Sequence, residues 1–407
     1  MILLFFFPDF IQLQLNSCIE ENKAMMNKRK SRKTHHIIFI FGTRPEVVKI
    51  APIIMEMRKH PDFAAYLCNT GQQHELSRQT LEFFQLHSDA DFDVMEPDQS
   101  LSELQSKILE QLTVLFHTRH FDGVIVQGDT MSAFCGALAG FYFKIPVFHV
   151  EAGLRSGSME EPWPEEALRQ MISRITALHF APTERAYREL TAENIPASRI
   201  CLCGNTVIDA QLSLPENSLR QAEASLHSRG LIPHPRRLLV TVHRREIHGE
   251  RLLAILRALN ILARHFPDHE FVFPVHPNPN VKGPVLRYCS GIPNIRLTEP
   301  LSYPELSFVM RNAVAILTDS GGIQEEASVF GKRVFVLREK TERQEGVESG
   351  FSIIAGVDTG NIVTLVSSYL NESGLFRISG QNPYGDGHAS KKIVNALNYF
   401  FKQRKRT

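Results

Sequence analysis

The stretch ILTDSGGIQEEASVFG, residues Ile316–Gly331, has the pattern of a β-strand that runs through a Ser-Gly-Gly turn into an α-helix. Val314–Leu317 is apolar and predicts a buried strand. The helix is expected to begin near Ile323, which places Glu325 and Glu326 in its first turn, within reach of sugar hydroxyl groups. Bare backbone N–H groups and the helix dipole attract phosphate at such a turn, and glycine permits close approach. The candidate phosphate-binding residues are Ser320, Gly321 and Gly322. An ordinary βα loop has the same pattern, so this interpretation needs support from the rest of the chain.

Length and composition indicate a globular protein with two domains. The chain has 407 residues, 43% of them hydrophobic and 22% charged. A chain of this length is too long to fold around a single ordinary hydrophobic core. Its formal net charge of +1 is too small to attract a polyanion electrostatically, so we expect no nucleic-acid partner. The apolar start Met1–Phe7 is ended by Pro8 and is too short to cross a bilayer. We interpret residues 1–36 as an extension outside the fold and expect no membrane partner; a membrane-surface anchor is the alternative.

After this extension, apolar strands alternate with polar turns and amphipathic helices, which predicts parallel sheets. Ile37–Phe41 is the first strand, and Pro52 in the following helix predicts a kink or a late restart. Arg44 stands just past this strand, and Asp129 and Glu151 stand just past two later ones. Because ligands bind at the carboxyl ends of parallel strands, this shared placement is the first indication of a site.

The alternating pattern also predicts where the domains divide. Residues 212–235 show no strand and are interpreted as the crossing into the second domain, and the last helix, about His388–Phe401, is expected to return to the first. The prediction is an α/β fold with an N-terminal Rossmann-like domain (37–208 plus 385–407) and a C-terminal one (209–384). The first contributes mainly acids and the second mainly His, Arg and the phosphate-type turn, which suits a nucleotide held between them.

The chain contains no motif for a metal or a cofactor. No G-x-G-x-x-G follows a strand, and no G-x-x-x-x-G-K-[ST] occurs. His243, Glu246 and His248 do not match H-E-x-x-H, and the two histidines would face different sides of a helix. We therefore expect neither a metal nor a cofactor.

Each candidate residue also has a purely structural explanation. Asp129 could cap the following helix, and Glu165 and Glu166 could be first-turn acids favoured by the helix dipole. His243 could be a buried core histidine and Arg44 an ion-pair partner. Each structural explanation suffices singly, but together they require several coincidences.

Motifs along nearly the whole chain form a specific set. In order they are FGTRPE (Phe41–Glu46), QGDT (Gln127–Thr130), HVEAGLRSG (His149–Gly157), PWPEE (Pro162–Glu166), GNTVIDA (Gly204–Ala210), HRRE (His243–Glu246), PVHPNPNV (Pro274–Val281), LTDSGGIQEEA (Leu317–Ala327), TER (Thr341–Arg343) and NPYGDG (Asn382–Gly387). From about Ile38 to the C-terminal helix, the chain resembles the non-hydrolysing UDP-N-acetylglucosamine 2-epimerases. The resemblance implies the GT-B arrangement of two Rossmann-like domains with an active-site cleft between them. It also implies a cytoplasmic homodimer that acts on a UDP-sugar for cell-surface polysaccharide synthesis.

The resemblance implies interconversion of UDP-N-acetylglucosamine and UDP-N-acetylmannosamine without metal or nicotinamide. A base would remove the C2 proton as the C1–O bond to UDP breaks, and UDP would re-add to the 2-acetamidoglucal with a proton delivered to the opposite face. By resemblance, Asp129, Glu151 and Glu165 are the acid/base set, and His243 assists at the sugar–phosphate junction. The diphosphate is assigned to Arg44, Ser320, Gly321 and Arg343, and the ribose hydroxyls to Glu326. Further contacts to the UDP-sugar are Lys49, Gln72, His276 and Gly322.

The chain departs from the usual family pattern at several positions. Val242 stands where a small residue is usual, Ile247 and Leu168 stand where asparagine is usual, and Gln344 stands where proline is typical. The segment 71–75 reads GQQHE, which puts in doubt the allosteric substrate site of bacterial members. None of these departures removes a proposed catalytic group.

Three other activities compete with this interpretation. The closest is the same epimerisation of a modified UDP-sugar, such as a 2,3-diacetamido uronic acid. Hydrolysing 2-epimerases lack the Arg44-Pro45-Glu46 turn, and a GT-B glycosyltransferase would not need three acids in the first domain. A non-catalytic sensor would require the loss of a key acid, and all are present.

Overall fold

The computed structural model describes residues 34–96, 98–160, 162–371 and 381–404, which form two parallel β-sheets with helices packed on their faces. The first sheet has the strand order β3-β2-β1-β4-β5-β6-β7. Its strands are β1 (His35–Phe41), β2 (Phe63–Asn69), β3 (Ala90–Asp91), β4 (Gly123–Gln127), β5 (Val147–Val150), β6 (Leu178–Ala181) and β7 (Ile200–Leu202). The second has the order β10-β9-β8-β11-β12-β13. Its strands are β8 (Arg237–Thr241), β9 (Glu270–Pro274), β10 (Ile295–Thr298), β11 (Ala315–Thr318), β12 (Arg333–Val336) and β13 (Ser352–Ile354).

The helices lie between the strands in the alternation that the sequence predicts. Those that pack around the first sheet, here called the first lobe, are α1 (Arg44–Met57), α2 (His74–Phe83), α3 (Leu101–Thr118), α4 (Met131–Tyr142), α5 (Glu165–Ile175), α6 (Glu184–Ala192), α7 (Thr206–Leu212) and α15 (Ala389–Arg404). Those of the second sheet, the second lobe, are α8 (Glu216–Ser228), α9 (Glu250–His265), α10 (Pro279–Cys289), α11 (Tyr303–Asn312), α12 (Gly321–Val329), α13 (Gln344–Glu348) and α14 (Thr359–Asn371). Sequence analysis did not anticipate several of the second-lobe helices, including α10 and α14.

Each sheet is buried on both faces. In β1, Ile37 and Phe39 belong to one apolar cluster and Ile38 and Ile40 to the cluster on the opposite face. The second sheet repeats this alternation along β8. Burial on both faces explains why these strands are continuous apolar runs instead of alternating polar and apolar residues.

The strand order places the predicted first-lobe residues at one edge of the sheet. β1 pairs with β4, and β4 pairs with β5, all parallel. Arg44, Asp129 and Glu151 follow the carboxyl ends of these three adjacent strands. β1 also pairs with β2, so the chain changes direction across the sheet at this point, which is where open α/β folds bind ligands.

Three local predictions differ from the structure. α12 begins at Gly321, two residues before the predicted Ile323, because Ser320 caps it; Glu325 and Glu326 therefore lie in its second turn. α1 runs without interruption through Pro52, so the predicted late restart is wrong. β1 begins at His35, before the predicted Ile37.

The ends of the domains can be located in part. α8 occupies most of the strand-free segment 212–235 and packs on α11. α15 packs on α1 and α7, where Asp209 accepts hydrogen bonds from the backbone N–H groups of Ala389 and Ser390 at 3.2 and 2.8 Å. The domain boundaries themselves stay a prediction, and the proposed extension lies almost wholly outside the described residues. Among the helices that the structure describes, none is long and apolar enough to cross a membrane.

Candidate active site

Glu151 is the most constrained acid of the site. It directly follows β5, is buried, and has φ +64°, a left-handed conformation rare for a non-glycine residue. Its Oε2 lies 2.5 Å from Lys49 Nζ and accepts a hydrogen bond from Gln127. Backbone strain of this kind persists where the surroundings hold a residue in place, and it is common at functional sites.

A buried ion-pair cluster joins Glu151 to the second lobe. Arg343 Nη2 lies 3.4 Å from Glu151 Oε1, and Arg343 Nε lies 2.9 Å from Glu325 Oε1. Lys49 Nζ lies 3.1 Å from Glu325 Oε2 and so completes a ring of four charges. Such pairing compensates for the cost of burying these charges.

Protonation differs between the two acids of this cluster. Burial raises the pKa of Glu151 in spite of the opposing charge of Lys49. Burial would also raise the pKa of Glu325, but the charges of Lys49 and Arg343 outweigh it and hold that pKa below its ordinary value. Glu151 is therefore the acid of the cluster that more readily takes up a proton.

The guanidinium of Arg343, which was predicted to bind the diphosphate, is already paired with three carboxylates. It is buried, with Glu342 Oε2 3.5 Å from its Nη1 in addition to its two partners in the cluster. A Cβ on Gly321 would lie 2.9 Å from the guanidinium carbon, so any other residue there would displace the Arg343 side chain. Its role toward the diphosphate stays a prediction.

Asp129 and Glu165 lie near each other at the carboxyl edge of the first sheet. Asp129 Oδ2 lies 2.7 Å from Arg169 Nε. Thr130, not Asp129, caps α4, since its hydroxyl accepts the Ala133 N–H at 3.0 Å. The capping explanation for Asp129 is therefore wrong.

The two adjacent glutamates have different environments. Glu166 is fully buried and accepts hydrogen bonds from Ser156 N and Arg169 Nη1, at 2.9 and 2.8 Å. Glu165 Oε2 is buried and has no hydrogen-bond partner among the described residues. Burial raises the pKa of Glu165, and the nearby charge of Asp129 raises it further. Glu166 is therefore held by several partners, whereas Glu165 has one carboxylate oxygen without a hydrogen-bond partner among the described residues and more readily takes up a proton.

The phosphate-type turn opens α12 as predicted. Ser320 caps the helix, and Gly322 is partly exposed. In the second turn, Glu326 accepts a hydrogen bond from Gln211. Burial raises the pKa of Glu326 to about 7. The turn thus presents the first backbone N–H groups of the nine-residue helix α12 beside the carboxylate of Glu326. Its contacts to phosphate and ribose stay predictions.

The remaining residues predicted to contact the UDP-sugar come from both lobes. Arg44 Nη1 donates to Leu301 O at 3.5 Å and so reaches the second lobe. Gln72 Oε1 accepts from Ser132 Oγ at 3.0 Å. His276 is exposed, and its ring centroid lies 6.0 Å from that of His243.

His243 has a partner that sequence analysis missed. Its Nδ1 lies 2.8 Å from Oδ1 of Asp319, a fully buried residue. Asp319 directly precedes Ser320, and an Asp in a turn is too common to indicate a role from the sequence. Gln127 was not predicted as a site residue, and Glu325 was expected near sugar hydroxyls, whereas in the structure it pairs with Lys49 and Arg343. Only the fold shows which side chains of the two lobes meet.

The sequence model of the family described as UDP-N-acetylglucosamine 2-epimerase matches residues 55–398. This chain belongs to that family. The UDP-N-acetylglucosamine 2-epimerase of Yersinia pestis is 42% identical over 367 residues, which are 89% of this chain and 98% of the relative. The probable UDP-N-acetylglucosamine 2-epimerase of Ralstonia nicotianae is 42% identical over 371 residues, 90% of this chain and 99% of the relative.

Solved structures of 2-epimerases have the same fold. That of UDP-GlcNAc 2-epimerase from Neisseria meningitidis, bound to UDP-GlcNAc, superposes with a TM-score of 0.83 at 39% identity, covering 89% of this chain and all of the other. That of the Methanocaldococcus jannaschii enzyme, in complex with UDP-GlcNAc and UDP, has a TM-score of 0.80 at 30% identity, covering 89% and 99%. The resemblance and the GT-B-like α/β fold predicted from the sequence are confirmed, and this chain is an enzyme of the 2-epimerase family. Within the described residues, no three His, Cys, Asp or Glu side chains are grouped to hold a metal ion.

Proposed function

We propose that this chain catalyses the reversible C2 epimerisation of UDP-N-acetylglucosamine to UDP-N-acetylmannosamine. The observation that carries the proposal is the contact between the lobes at the carboxyl edge of the first sheet, where Glu151 meets Arg343 and Lys49 joins Glu151 to Glu325 of α12. The Neisseria relative, which was solved with UDP-GlcNAc, supports the substrate.

The C2 proton of the sugar is weakly acidic, so the route is elimination. A base takes the C2 proton, the C–H electron pair forms the C1=C2 double bond, and the C1–O bond breaks with its electrons going to UDP. Re-addition of UDP to the 2-acetamidoglucal, with a proton delivered to C2 from the opposite face, gives the epimer. Such a route needs acid/base groups on both faces of the ring.

Asp129, Glu151 and Glu165 supply these groups. The raised pKa values of Glu151 and Glu165 support this role, because an acid/base catalyst works best with a pKa near the operating pH. Asp129 is held by Arg169 beside Glu165. His243 acts at the sugar–phosphate junction.

The departing diphosphate is stabilised at the opening of α12. Ser320, Gly321 and Gly322 provide the turn, and backbone N–H groups with the helix dipole favour the charge that develops on UDP. The other groups assigned to the UDP-sugar are Arg44, Lys49, Gln72, His276, Glu326 and Arg343.

Proton NMR of the purified protein with UDP-N-acetylglucosamine in D2O tests this function. We expect deuterium at C2 together with an anomeric signal of UDP-N-acetylmannosamine. Free N-acetylmannosamine with UDP would indicate a hydrolysing enzyme. Absence of exchange would favour epimerisation of a modified UDP-sugar or, less strongly, a GT-B glycosyltransferase.

We further propose a homodimer in the cytoplasm. The family resemblance supports the dimer, and exposed apolar side chains at Val114, Phe141 and Tyr142 offer a surface for it. The cytoplasmic supply of UDP-sugars supports the location. Light scattering of the purified protein measures the assembly state directly.

A further inference from the structure

Asp319 lies where the two central strands of the second sheet end. β8 and β11 are paired, with Thr241 opposite Thr318, and the hydroxyl oxygens of these two residues are 2.6 Å apart. Asp319 follows Thr318 directly and is fully buried. A buried carboxylate at this position needs several hydrogen bonds to offset the loss of water.

Both oxygens of Asp319 are used by the loop that follows β8. Oδ2 accepts the backbone N–H groups of His243 and Arg244, each at 2.8 Å. Oδ1 lies 2.8 Å from Nδ1 of the His243 ring. One carboxylate therefore fixes both the backbone and the ring orientation of His243.

This contact also determines which ring nitrogen carries the proton. Burial alone would raise the pKa of Asp319, but hydrogen bonds from the His243 side chain and from the backbone of Arg244 and His243 outweigh it, and the pKa is lowered. An ionised carboxylate offers only lone pairs, and an unprotonated Nδ1 at 2.8 Å from it would be repelled, so the proton of the His243 ring lies on Nδ1. Nε2 then lies at the opposite edge of a ring that is 41% exposed.

We propose that Asp319 is a positioning residue that keeps the proton of neutral His243 on Nδ1 and leaves Nε2 free for the sugar–phosphate junction. The proposal rests on the proposed function for the role of His243. Nε2 takes up a proton from solvent, and the resulting imidazolium is stabilised by ionised Asp319. As the C1–O bond breaks, Nε2 gives this proton to the departing diphosphate oxygen, and the proton returns to Nε2 when UDP re-adds. The hydrogen bond made by one ring nitrogen thus determines the chemistry of the other.

The variant Asp319→Asn separates this role from folding. Its amide oxygen can still accept the two backbone N–H groups, but its NH2 group would face Nδ1 of His243. Nδ1 must then accept a hydrogen bond, and the proton moves to Nε2. We expect kcat to fall by about 100-fold or more, with little change in KM for UDP-N-acetylglucosamine or in the Kd for UDP.

Two-bond 1H–15N NMR of 15N-histidine-labelled protein reads the tautomer directly. The His243 signals are identified by their absence in His243→Gln. We expect the wild-type protein to show Nδ1 protonated and Nε2 unprotonated, and Asp319→Asn to show the reverse. This measurement needs neither substrate nor turnover, so it tests the tautomer even if the wild-type protein does not epimerise UDP-N-acetylglucosamine. In that event the proposed function fails while the role of Asp319 is still decided by the tautomer.

Asp209→Asn is the matched control. Asp209 is also a buried aspartate that accepts two backbone N–H groups, those of Ala389 and Ser390, and within the described part of the chain no histidine donates a hydrogen bond to it. We expect it to change thermal stability without changing the His243 tautomer or kcat. The same drop in kcat in Asp209→Asn would indicate a general loss of packing and would overturn the proposal.

A double-mutant cycle supplies the last test. If Asp319 acts through His243, Asp319→Asn should cost little further activity in a His243→Gln background, because the two effects are not additive. Fully additive losses would overturn the proposal. So would an active wild-type enzyme whose Asp319→Asn variant keeps wild-type kcat and the Nδ1-protonated ring.

Discussion

Glu165 and Glu166 are adjacent in the sequence, but the environments of their side chains indicate different roles. Glu165 Oε2 is buried with no hydrogen-bond partner in the described part of the chain, whereas Glu166 is bound by Ser156, Arg169 and Gln170. Their position in the sequence pattern does not separate them, since both are acids of the first turn of α5; the family resemblance names Glu165, and the structure supplies the physical difference. A sequence pattern gives the residue type at the end of an element, but it does not give the partner across space.

We expect Glu165→Gln to lower kcat by about 10²- to 10⁴-fold, because Gln cannot transfer a proton. Its thermal stability should stay near that of the wild type, since Glu165 Oε2 forms no hydrogen bond that Gln would lose. Glu166→Gln should instead destabilise the fold by about 1–3 kcal/mol, because buried Arg169 loses a charged partner. Steady-state kinetics and thermal denaturation of both variants check this pair. A Glu165→Gln enzyme with wild-type kcat would remove Glu165 from the acid/base set.

At the scale of elements, Glu46 connects two turns that carry site residues. Its Oε2 accepts the Gly42 and Thr43 N–H groups at 3.1 and 2.9 Å, and its Oε1 accepts the Thr130 hydroxyl at 2.8 Å. The turn after β1 leads to Arg44, and the turn after β4 contains Asp129. Glu46 therefore holds these two elements together from within α1.

The protonation of Glu46 predicts a pH-dependent stability. Burial raises the pKa of Glu46 to about 7 despite its hydrogen bonds. Between an unfolded pKa of about 4.3 and this value, the folded state binds more protons, so stability falls as pH rises through that window. The total is on the order of 4 kcal/mol at most. Glu46→Gln stays neutral and can keep similar contacts. The Tm of the variant minus that of the wild type should therefore be larger at pH 8 than at pH 5.

Thermal denaturation of both proteins at the two pH values measures this effect. Glu103→Gln is the matched control, because Glu103 forms the same kind of capping box with Ser100 on the exposed surface of α3. Hydrogen bonds from Ser100 lower the pKa of Glu103, so its substitution should act in the opposite direction and weakly. A Tm difference for Glu46→Gln that does not change with pH would contradict the prediction.

Secondary structure was most predictable where periodicity is long and uninterrupted. α9 and β9 begin and end at the predicted residues, Glu250–His265 and Glu270–Pro274. The start of α12 was misplaced because hydrophobic periodicity begins at Ile323, whereas the cap is Ser320. Pro52 did not end α1, since packing on both sides of the helix outweighs one missing hydrogen bond. The Asp319–His243 and Lys49–Glu325 contacts could not be predicted, because each joins elements far apart in the chain.

At the scale of the whole molecule, buried charges link the two lobes. Lys49 and Glu151 belong to the first lobe, and Glu325 and Arg343 belong to the second. A different ion pair between the lobes, Arg185 Nη1 to Glu348 Oε1 at 3.6 Å, lies at the surface. The two contacts cross the same boundary but differ in burial, and this difference predicts what each contributes.

We expect the wild-type protein to unfold in a single calorimetric transition and Glu325→Gln to unfold at a Tm lower by about 5 °C or more, in a broadened or split transition. Gln leaves two buried cations short of a carboxylate, a loss of about 3–5 kcal/mol for a buried pair. Glu348→Gln should change Tm very little, because exposed ion pairs contribute about 0–1 kcal/mol. Ionic strength distinguishes the two substitutions further. High salt should abolish the small Tm change caused by Glu348→Gln. The Tm change caused by Glu325→Gln should stay almost the same, because buried ion pairs are screened far less. If both variants melted alike, or if salt removed the effect of Glu325→Gln, the buried cluster would not be what couples the lobes.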